Sequence, residues 1–170
     1  MKTRPEDELD FDFSDAESVE WLDHPGRKSP MGMKLADYVV EEKGRILIIE
    51  VKDPSCSRAQ PQDQKRFARQ MQNEELIGDE LTPKARDSYT YLHLMERDSK
   101  PIIFVFIVGI ESLPFDPALM SPFKEKLLGR IRQEADKPWK RLYVKDCIVT
   151  SIENWKSIFP QYLVTRTQPS

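Results

Sequence analysis

Two acidic residues and a lysine, Asp37, Glu50 and Lys52, have the types and spacing for metal-assisted phosphate chemistry. Two adjacent carboxylates repel each other unless a cation neutralises them. Mg²⁺ binds a few carboxylates together with water and phosphate oxygens. It also lowers the pKa of a bound water and neutralises charge that develops on a phosphodiester. A neighbouring lysine would orient the attacking water or stabilise the anionic transition state.

A predicted β-hairpin carries these side chains. Residues 33–41 and 45–52 are strand-like, and Gly44 lies in the turn between them. The second strand is apolar at every position from 46 to 49. We therefore expect it to be a central strand that is buried on both faces of a sheet.

Strand alternation predicts that the three polar residues lie together. Residues two apart share a face, so Glu50 and Lys52 point the same way. Asp37 lies six residues before position 43 and Glu50 six residues after position 44, which makes them expected cross-strand neighbours. A Glu-x-Lys sequence alone is equally consistent with a surface ion pair worth about 0–1 kcal/mol. Its position after a buried strand favours a functional site.

The remaining segments predict alternating helices and strands. Ser14 as N-cap and Glu17 three residues later predict a first helix that ends near residue 23. Further helices are predicted over residues 58–76, 83–96, 123–135 and 151–159 (with Ser151 as N-cap), and further strands over 101–110, 141–150 and 162–166. This order predicts an α/β (α+β) protein, with a mixed β-sheet flanked by helices on both faces.

Length and charge predict one domain with an acidic arm. The 170 residues suit a single domain over residues 15–170, preceded by a flexible acidic arm over residues 1–14. Residues 1–23 hold nine acidic and two basic residues, whereas the rest hold 20 acidic and 24 basic ones. The sequence shows neither a membrane span nor a secretory signal, and its two cysteines form no disulfide framework, so we expect a cytoplasmic protein.

An aspartate on one strand, twelve intervening residues and a Glu-x-Lys that closes the next strand resemble the PD-(D/E)xK nuclease superfamily. The resemblance covers roughly residues 15–110. It implies the restriction-endonuclease-like fold, with Asp37 and Glu50 as metal ligands and Lys52 as the catalytic lysine. It also implies that Mg²⁺ or Mn²⁺ is the cofactor.

The same resemblance suggests further site residues. Many members place a glutamate on the first core helix as an extra metal ligand, and Glu20, or Glu17 as the fallback, would take that role here. Gln64 and Gln70 are candidates for the polar residue that some members carry on the helix after the motif. The sequence departs from the pattern at Ala36, where proline is usual, and it shows no clear strand before residue 33.

A nuclease also needs contacts to phosphates, which basic residues supply. The candidates for nucleic-acid binding are Lys65, Arg66, Arg69, Lys124, Arg130 and Arg132. A charged run of this kind is also typical of a solvated helix face. Trp139 lies beside Lys137 and Lys140, and we expect it to pack in the core rather than to stack on a base.

The sequence predicts a divalent-metal-dependent nuclease that hydrolyses DNA phosphodiester bonds, with RNA as the second choice of substrate. A second hypothesis is a catalytically inactive module of the same fold in a nucleic-acid-processing or defence complex, acting with a protein partner or as a homodimer. A third is an interaction protein in which the three polar residues coincide by chance. No partner in a membrane is expected.

Overall fold

The structure, a computed structural model, describes residues 8–133 and 137–167. The strands are β1 (Leu9–Asp12), β2 (Ser18–Trp21), β3 (Tyr38–Glu41), β4 (Ile46–Lys52), β5 (Ile102–Val108), β6 (Asp146–Ser151) and β7 (Leu163–Arg166). The helices are α1 (Pro61–Gln72), α2 (Thr82–Leu94), α3 (Met120–Ile131) and α4 (Ile152–Ile158). None of the helices in the described residues is long and apolar enough to span a bilayer.

A five-stranded mixed sheet, in the order β2-β3-β4-β5-β6, forms the centre of the protein. The strands β2, β3 and β4 are antiparallel, whereas β4, β5 and β6 are parallel. Strand β4 is the middle strand, and its residues 46–51 are buried. The predicted mixed sheet and the predicted central, doubly buried strand are therefore confirmed.

Alternation along the strands separates two cores. On one face, Val39 and Ile48 pack with side chains from α1, α2 and α3, such as Met71, Ala85 and Leu127. On the other face, the side chains of alternate strand residues pack against α4 and against a separate two-stranded ribbon formed by β1 and β7. Helices thus lie on both faces, three on one and the short α4 on the other.

The segment predicted as a flexible arm is partly incorporated into this second core. Residues 1–7 lie outside the described residues. The side chains of Leu9, Phe11 and Phe13 are at most 1% exposed, and Phe11 packs edge-on against Trp155 with ring centroids 5.9 Å apart. Residues 8–14 are therefore part of the folded domain, because these aromatic side chains cover the ribbon side of the sheet.

The predicted first helix is wrong, because this segment forms a turn followed by strand β2. The Ser14 N–H donates to the Asp12 carboxylate at 3.0 Å instead of beginning a helix. In β2, Val19 and Trp21 lie on the ribbon side, and Glu20 pairs in register with Val39 on the helix side. The edge of β3 thus gains a partner, which supplies the strand that the sequence did not reveal.

Other elements differ from the predictions mainly at their ends. The predicted capping by Ser151 is confirmed, since its hydroxyl accepts from the Asn154 N–H at 3.2 Å. The helix predicted over residues 58–76 is shorter, and a π-helical turn over Ile77–Leu81 leads directly into α2. The predicted end of α3 at residue 135 lies outside the described residues.

An arginine joins the ribbon to the end of the central strand. The Arg166 guanidinium donates to both carboxylate oxygens of Asp53, at 2.6 and 3.0 Å. It also lies 3.6 Å from Glu8 and 3.5 Å from Glu111. Asp53 lies against Gly109, where a Cβ atom would come within 2.3 Å of the Asp53 carboxylate.

We expect Gly109→Ala to lower the free energy of unfolding by about 1–3 kcal/mol, because the added methyl group displaces a carboxylate that Arg166 holds. Gly44→Ala is the matched control, since no atom lies within 4 Å of a Cβ at that position. Urea unfolding of both variants measures the difference. Equal stability of the two variants would contradict the tight fit at Gly109.

Candidate functional site

The hairpin register brings Asp37 and Glu50 opposite each other. Tyr38 pairs with Ile49 in the β3–β4 ladder, and one further step in the same register pairs Asp37 with Glu50. The helix face of the sheet carries Val39 and Ile48, so alternation turns both carboxylates to that face. The two side chains therefore lie under the helices at the carboxyl end of β4.

Asp37 is almost completely buried, with 2% of its surface exposed. Its carboxylate accepts a hydrogen bond from the backbone N–H of Val51 at 2.7 Å. This bond holds the carboxylate against β4, between the positions of Glu50 and Lys52. Asp37 is thereby fixed beside the end of the central strand.

Glu50 is fully buried, and its two oxygens have different surroundings. Its Oε1 lies 2.7 Å from Lys84 Nζ and 3.3 Å from Lys52 Nζ. Its Oε2 has no hydrogen-bond partner among the described residues. Burial raises the pKa of Glu50, and the two lysine charges offset only part of that increase. The open oxygen is a buried acceptor that is suited to a ligand.

Lys52 bridges two carboxylates. Its Nζ contacts Glu50 at 3.3 Å and Glu80 at 2.9 Å. Burial alone would lower the pKa of Lys52, but the negative charges of Glu50, Glu80 and Asp37 outweigh it and raise that pKa. Lys52 therefore remains a cation at neutral pH.

The sequence reasoning missed two of these partners, Glu80 and Lys84. Glu80 belongs to the π-helical turn before α2, and Lys84 lies in the first turn of α2. Their spacing of four residues would place them on one side of a helix. That spacing was the available signal, but it does not indicate that the pair faces β4.

Glu20 lies on strand β2 rather than on a helix, and its carboxylate is already neutralised. It accepts from Arg97 at 2.5 Å, and from Arg27 and the Tyr91 hydroxyl at 2.9 Å each. Glu20 is therefore held by Arg97, Arg27 and Tyr91. Glu17, the fallback, pairs with Lys100 at 2.6 Å.

The side chains of Asp37, Glu50, Lys52, Glu80 and Lys84 form a group that we call the Glu50 cluster. Two surface clefts border it. One, of about 230 Å³, is lined by Lys52, and by Gln64, Arg66 and Gln70 from α1. The other, of about 400 Å³, is lined by Glu80 and Lys84 together with residues of the segment before β3. The cluster is thus reached from the surface on two sides, although Glu50 itself is buried.

The basic residues predicted to contact nucleic acid do not form one surface. Arg66 lines the cleft beside Lys52 and pairs with Asp63 at 2.8 Å, whereas Lys65 and Arg69 are exposed on α1. Lys124 on α3 and Arg132 just after it line a different cleft near the amino ends of β5 and β6, and Arg130 is exposed. Trp139 is 49% exposed, so its predicted packing in the core is wrong.

The residues of the cluster fit a divalent cation with few protein ligands. Among residues 8–133 and 137–167, no group of three or more His, Cys, Asp or Glu side chains is arranged to hold a metal ion. Mg²⁺ requires only one or two carboxylates when water and phosphate supply its other ligands. The open Oε2 of Glu50 and the neighbouring carboxylate of Asp37 meet that requirement.

We expect Glu20→Gln to destabilise the protein by about 1–3 kcal/mol at pH 7, because it removes charged hydrogen bonds to two arginines. Burial tends to raise the pKa of Glu20, but the bonds to Arg97, Arg27 and Tyr91 lower it below 4.5 overall. This stabilisation is therefore present above pH 4.5 and is lost as the pH falls through the folded-state pKa.

The control for this prediction is Glu17→Gln, which removes one half-exposed ion pair worth about 0–1 kcal/mol. Urea unfolding at pH 7 and at pH 3 measures both variants. A more stable Glu20→Gln protein at pH 7 would show that the Glu20 charge is repelled rather than paired.

We expect Lys84→Met to destabilise the protein by about 3 kcal/mol at pH 8, because it leaves the buried Glu50 with one lysine. The loss should be smaller at pH 5, since protonation of a carboxyl group with a raised pKa removes the unpaired charge. The double variant Glu50→Gln/Lys84→Met should recover most of the lost stability. An equal loss at both pH values, with no recovery in the double variant, would assign the effect of Lys84 to packing alone.

Comparisons with protein-family models, with curated proteins and with solved structures give no match to this chain.

Proposed function

We propose that this protein is a divalent-metal-dependent nuclease that hydrolyses DNA phosphodiester bonds. The single observation that carries the proposal is the fully buried Glu50, whose Oε2 lacks a partner among the described residues. Asp37 lies opposite it in the extended register, and Lys52 lies beside it. A buried acceptor without a donor is costly, and a bound cation would remove that cost.

The topology supports a core of the restriction-endonuclease-like type. The strands β2, β3 and β4 are antiparallel, α1 and α2 follow, and β5 returns parallel to β4. The site lies where the second hairpin strand ends. One feature departs from that fold: strand β1 and a turn, rather than a helix, precede β2 within residues 8–17. A third metal ligand from a first core helix therefore has no support.

In this proposal, Asp37 and Glu50 would hold the divalent cation, which would supply charge neutralisation and an activated water. The hydrogen bond from Val51 orients the carboxylate of Asp37 toward β4. Glu50 keeps Oε1 on the two lysines, and its Oε2 has no partner among the described residues. Lys84 thus orients Glu50 from α2.

Lys52 acts as a fixed cation rather than as a general base. Because the carboxylates around it raise its pKa in the metal-free protein, we assign Lys52 the role of a cation rather than of a base that takes a proton from water. Its side chain is 30% exposed, and Lys52 borders the cleft formed with α1. From there it would stabilise the negative oxygens of a phosphate that enters this cleft.

The cleft beside Lys52 is the proposed entry for the scissile phosphate. Arg66 offers a second cation there, and the amides of Gln64 and Gln70 offer hydrogen bonds. Gln64 already donates to the Pro54 carbonyl at 3.1 Å, which fixes its side chain at the entrance. The proposal thus gives α1 the role of positioning the backbone of DNA.

The experiment is a cleavage assay on plasmid DNA with Mg²⁺ or Mn²⁺. We expect Asp37→Asn and Glu50→Gln to reduce cleavage by about 100-fold or more, a loss typical of removing a group that stabilises a transition state. Glu153→Gln, which changes an exposed carboxylate on α4, is the control and should retain full activity. Cleavage that persists in both site variants would place the activity elsewhere.

Metal binding provides a readout that does not require cleavage. Divalent metal at 100 times its Kd should stabilise the wild-type protein by about 2.7 kcal/mol. Glu50→Gln should abolish this stabilisation, whereas Glu153→Gln should retain it. Thermal unfolding with and without the metal measures the difference.

One observation favours a second candidate function, a catalytically inactive binding module. The 2.7 Å contact between Lys84 and Glu50 already provides Glu50 with a cation on α2, and Lys52 provides another. In that case the cluster is a structural ion network, and neither metal-dependent stabilisation nor cleavage will be observed. The same two assays therefore separate the two candidates.

A further inference from the structure

A further cleft lies at the opposite end of the parallel strands from Glu50. It has a volume of about 430 Å³ and is located at the amino ends of β5 and β6. We call it the basic aromatic cleft, because its lining includes Tyr89, Lys100, Arg141, Tyr143 and Lys145. Strand β5 has seven residues, so about 20 Å separates its two ends.

Aromatic rings form one part of this cleft. Tyr143 packs against Tyr89 with ring centroids 5.1 Å apart. Tyr89 in turn stacks on His93 at 5.7 Å, with the two ring planes inclined by 20°. Both tyrosines are half-buried, so part of each ring remains available at the surface.

Three cations and one carboxylate, Asp98, line the cleft. Arg141 and Lys145 are exposed, and no ion pair joins either to a carboxylate of the described residues. The hydrogen bond with His93 and, less strongly, the positive charge of Arg141 lower the pKa of Asp98. Lys100 pairs with Glu17 at 2.6 Å. Asp98, the acidic residue of the lining, is held by His93 at 2.6 Å. Lys100, Arg141 and Lys145 thus outnumber the one carboxylate of the lining.

The adjoining segment extends this chemistry. Residues 137–142 are all exposed, and they include Lys137, Trp139, Lys140 and Leu142. Trp139 is 49% and Leu142 is 55% exposed. An exposed tryptophan between two lysines combines a flat ring with flanking cations, which is the pairing that binds unpaired bases and their phosphates.

We propose that the basic aromatic cleft and residues 137–142 bind a segment of single-stranded nucleic acid. Bases would stack on the exposed rings, and Arg141 and Lys145 would contact phosphates. A duplex hides the faces of its bases, so this arrangement favours a single strand. A concave cleft also suits a base better than it suits a flat lipid surface. This site lies apart from the Glu50 cluster and does not depend on cleavage there.

The experiment measures fluorescence anisotropy of labelled single strands of about 12 nucleotides, a length within the usual site size. It is performed in EDTA with labelled single strands of DNA and of RNA. The DNA duplex and anionic lipid vesicles are added as competitors. We expect Trp139→Ala to weaken binding to a single strand about tenfold. Arg141→Ala and Lys145→Ala should each reduce the salt-dependence slope by about 0.7. Relative affinities for DNA and RNA identify the preferred strand.

The controls are Lys156→Ala and Ile158→Ala, exposed residues of α4 on the other face of the sheet, which should leave binding unchanged. The proposal is overturned if the α4 variants weaken binding equally, or if the duplex binds as tightly as the single strand. Vesicle binding that depends on Trp139 would overturn it as well.

Discussion

A carboxylate that is completely removed from water at the end of the central strand imposes the main constraint on this structure. Glu50 can remain ionised there only if cations reach it, because burial alone disfavours the charged form. Lys84 reaches it from α2, and Lys52 reaches it from the same strand. The neutralisation of this one side chain therefore depends on the position of α2 over β4. It also involves the π-helical turn, because that turn carries Glu80, which contacts Lys52.

Other partly or fully buried carboxylates also need cations, and these ion pairs position further elements around the sheet. Arg97, just after α2, contacts Glu20 on β2 and Glu41 on β3, so the end of the helix is held over the edge of the sheet. Arg166 on β7 contacts Asp53 after β4, which fixes the ribbon at the other face. Such partly buried pairs contribute little net stability, but breaking one is costly, so they specify where each element packs.

The two ends of the parallel strands therefore differ in chemistry. At the carboxyl end, carboxylates converge on Lys52, Lys84 and Arg166, and most of the charge is compensated inside the protein. At the amino end, Arg141 and Lys145 are exposed beside aromatic rings and lack ion-pair partners among the described residues. The net charge of −3 sums over the whole chain, so it does not reveal that the two ends of the strands differ in charge.

Local sequence patterns suffice to predict the hairpin, because the apolar run of β4 and the equal spacing of Asp37 and Glu50 about the turn leave one register that buries both faces. The position of Glu20 on a strand, in contrast, depends on tertiary packing. Its segment satisfies a helix-capping pattern locally, but the open edge of β3 provides a strand partner that no local pattern contains. The same limit applies to Lys84, which lies 34 residues from Glu50 in sequence, and to Trp139, whose exposure depends on packing. Local periodicity reports which face a residue occupies, whereas the partner on that face is set by how distant elements pack.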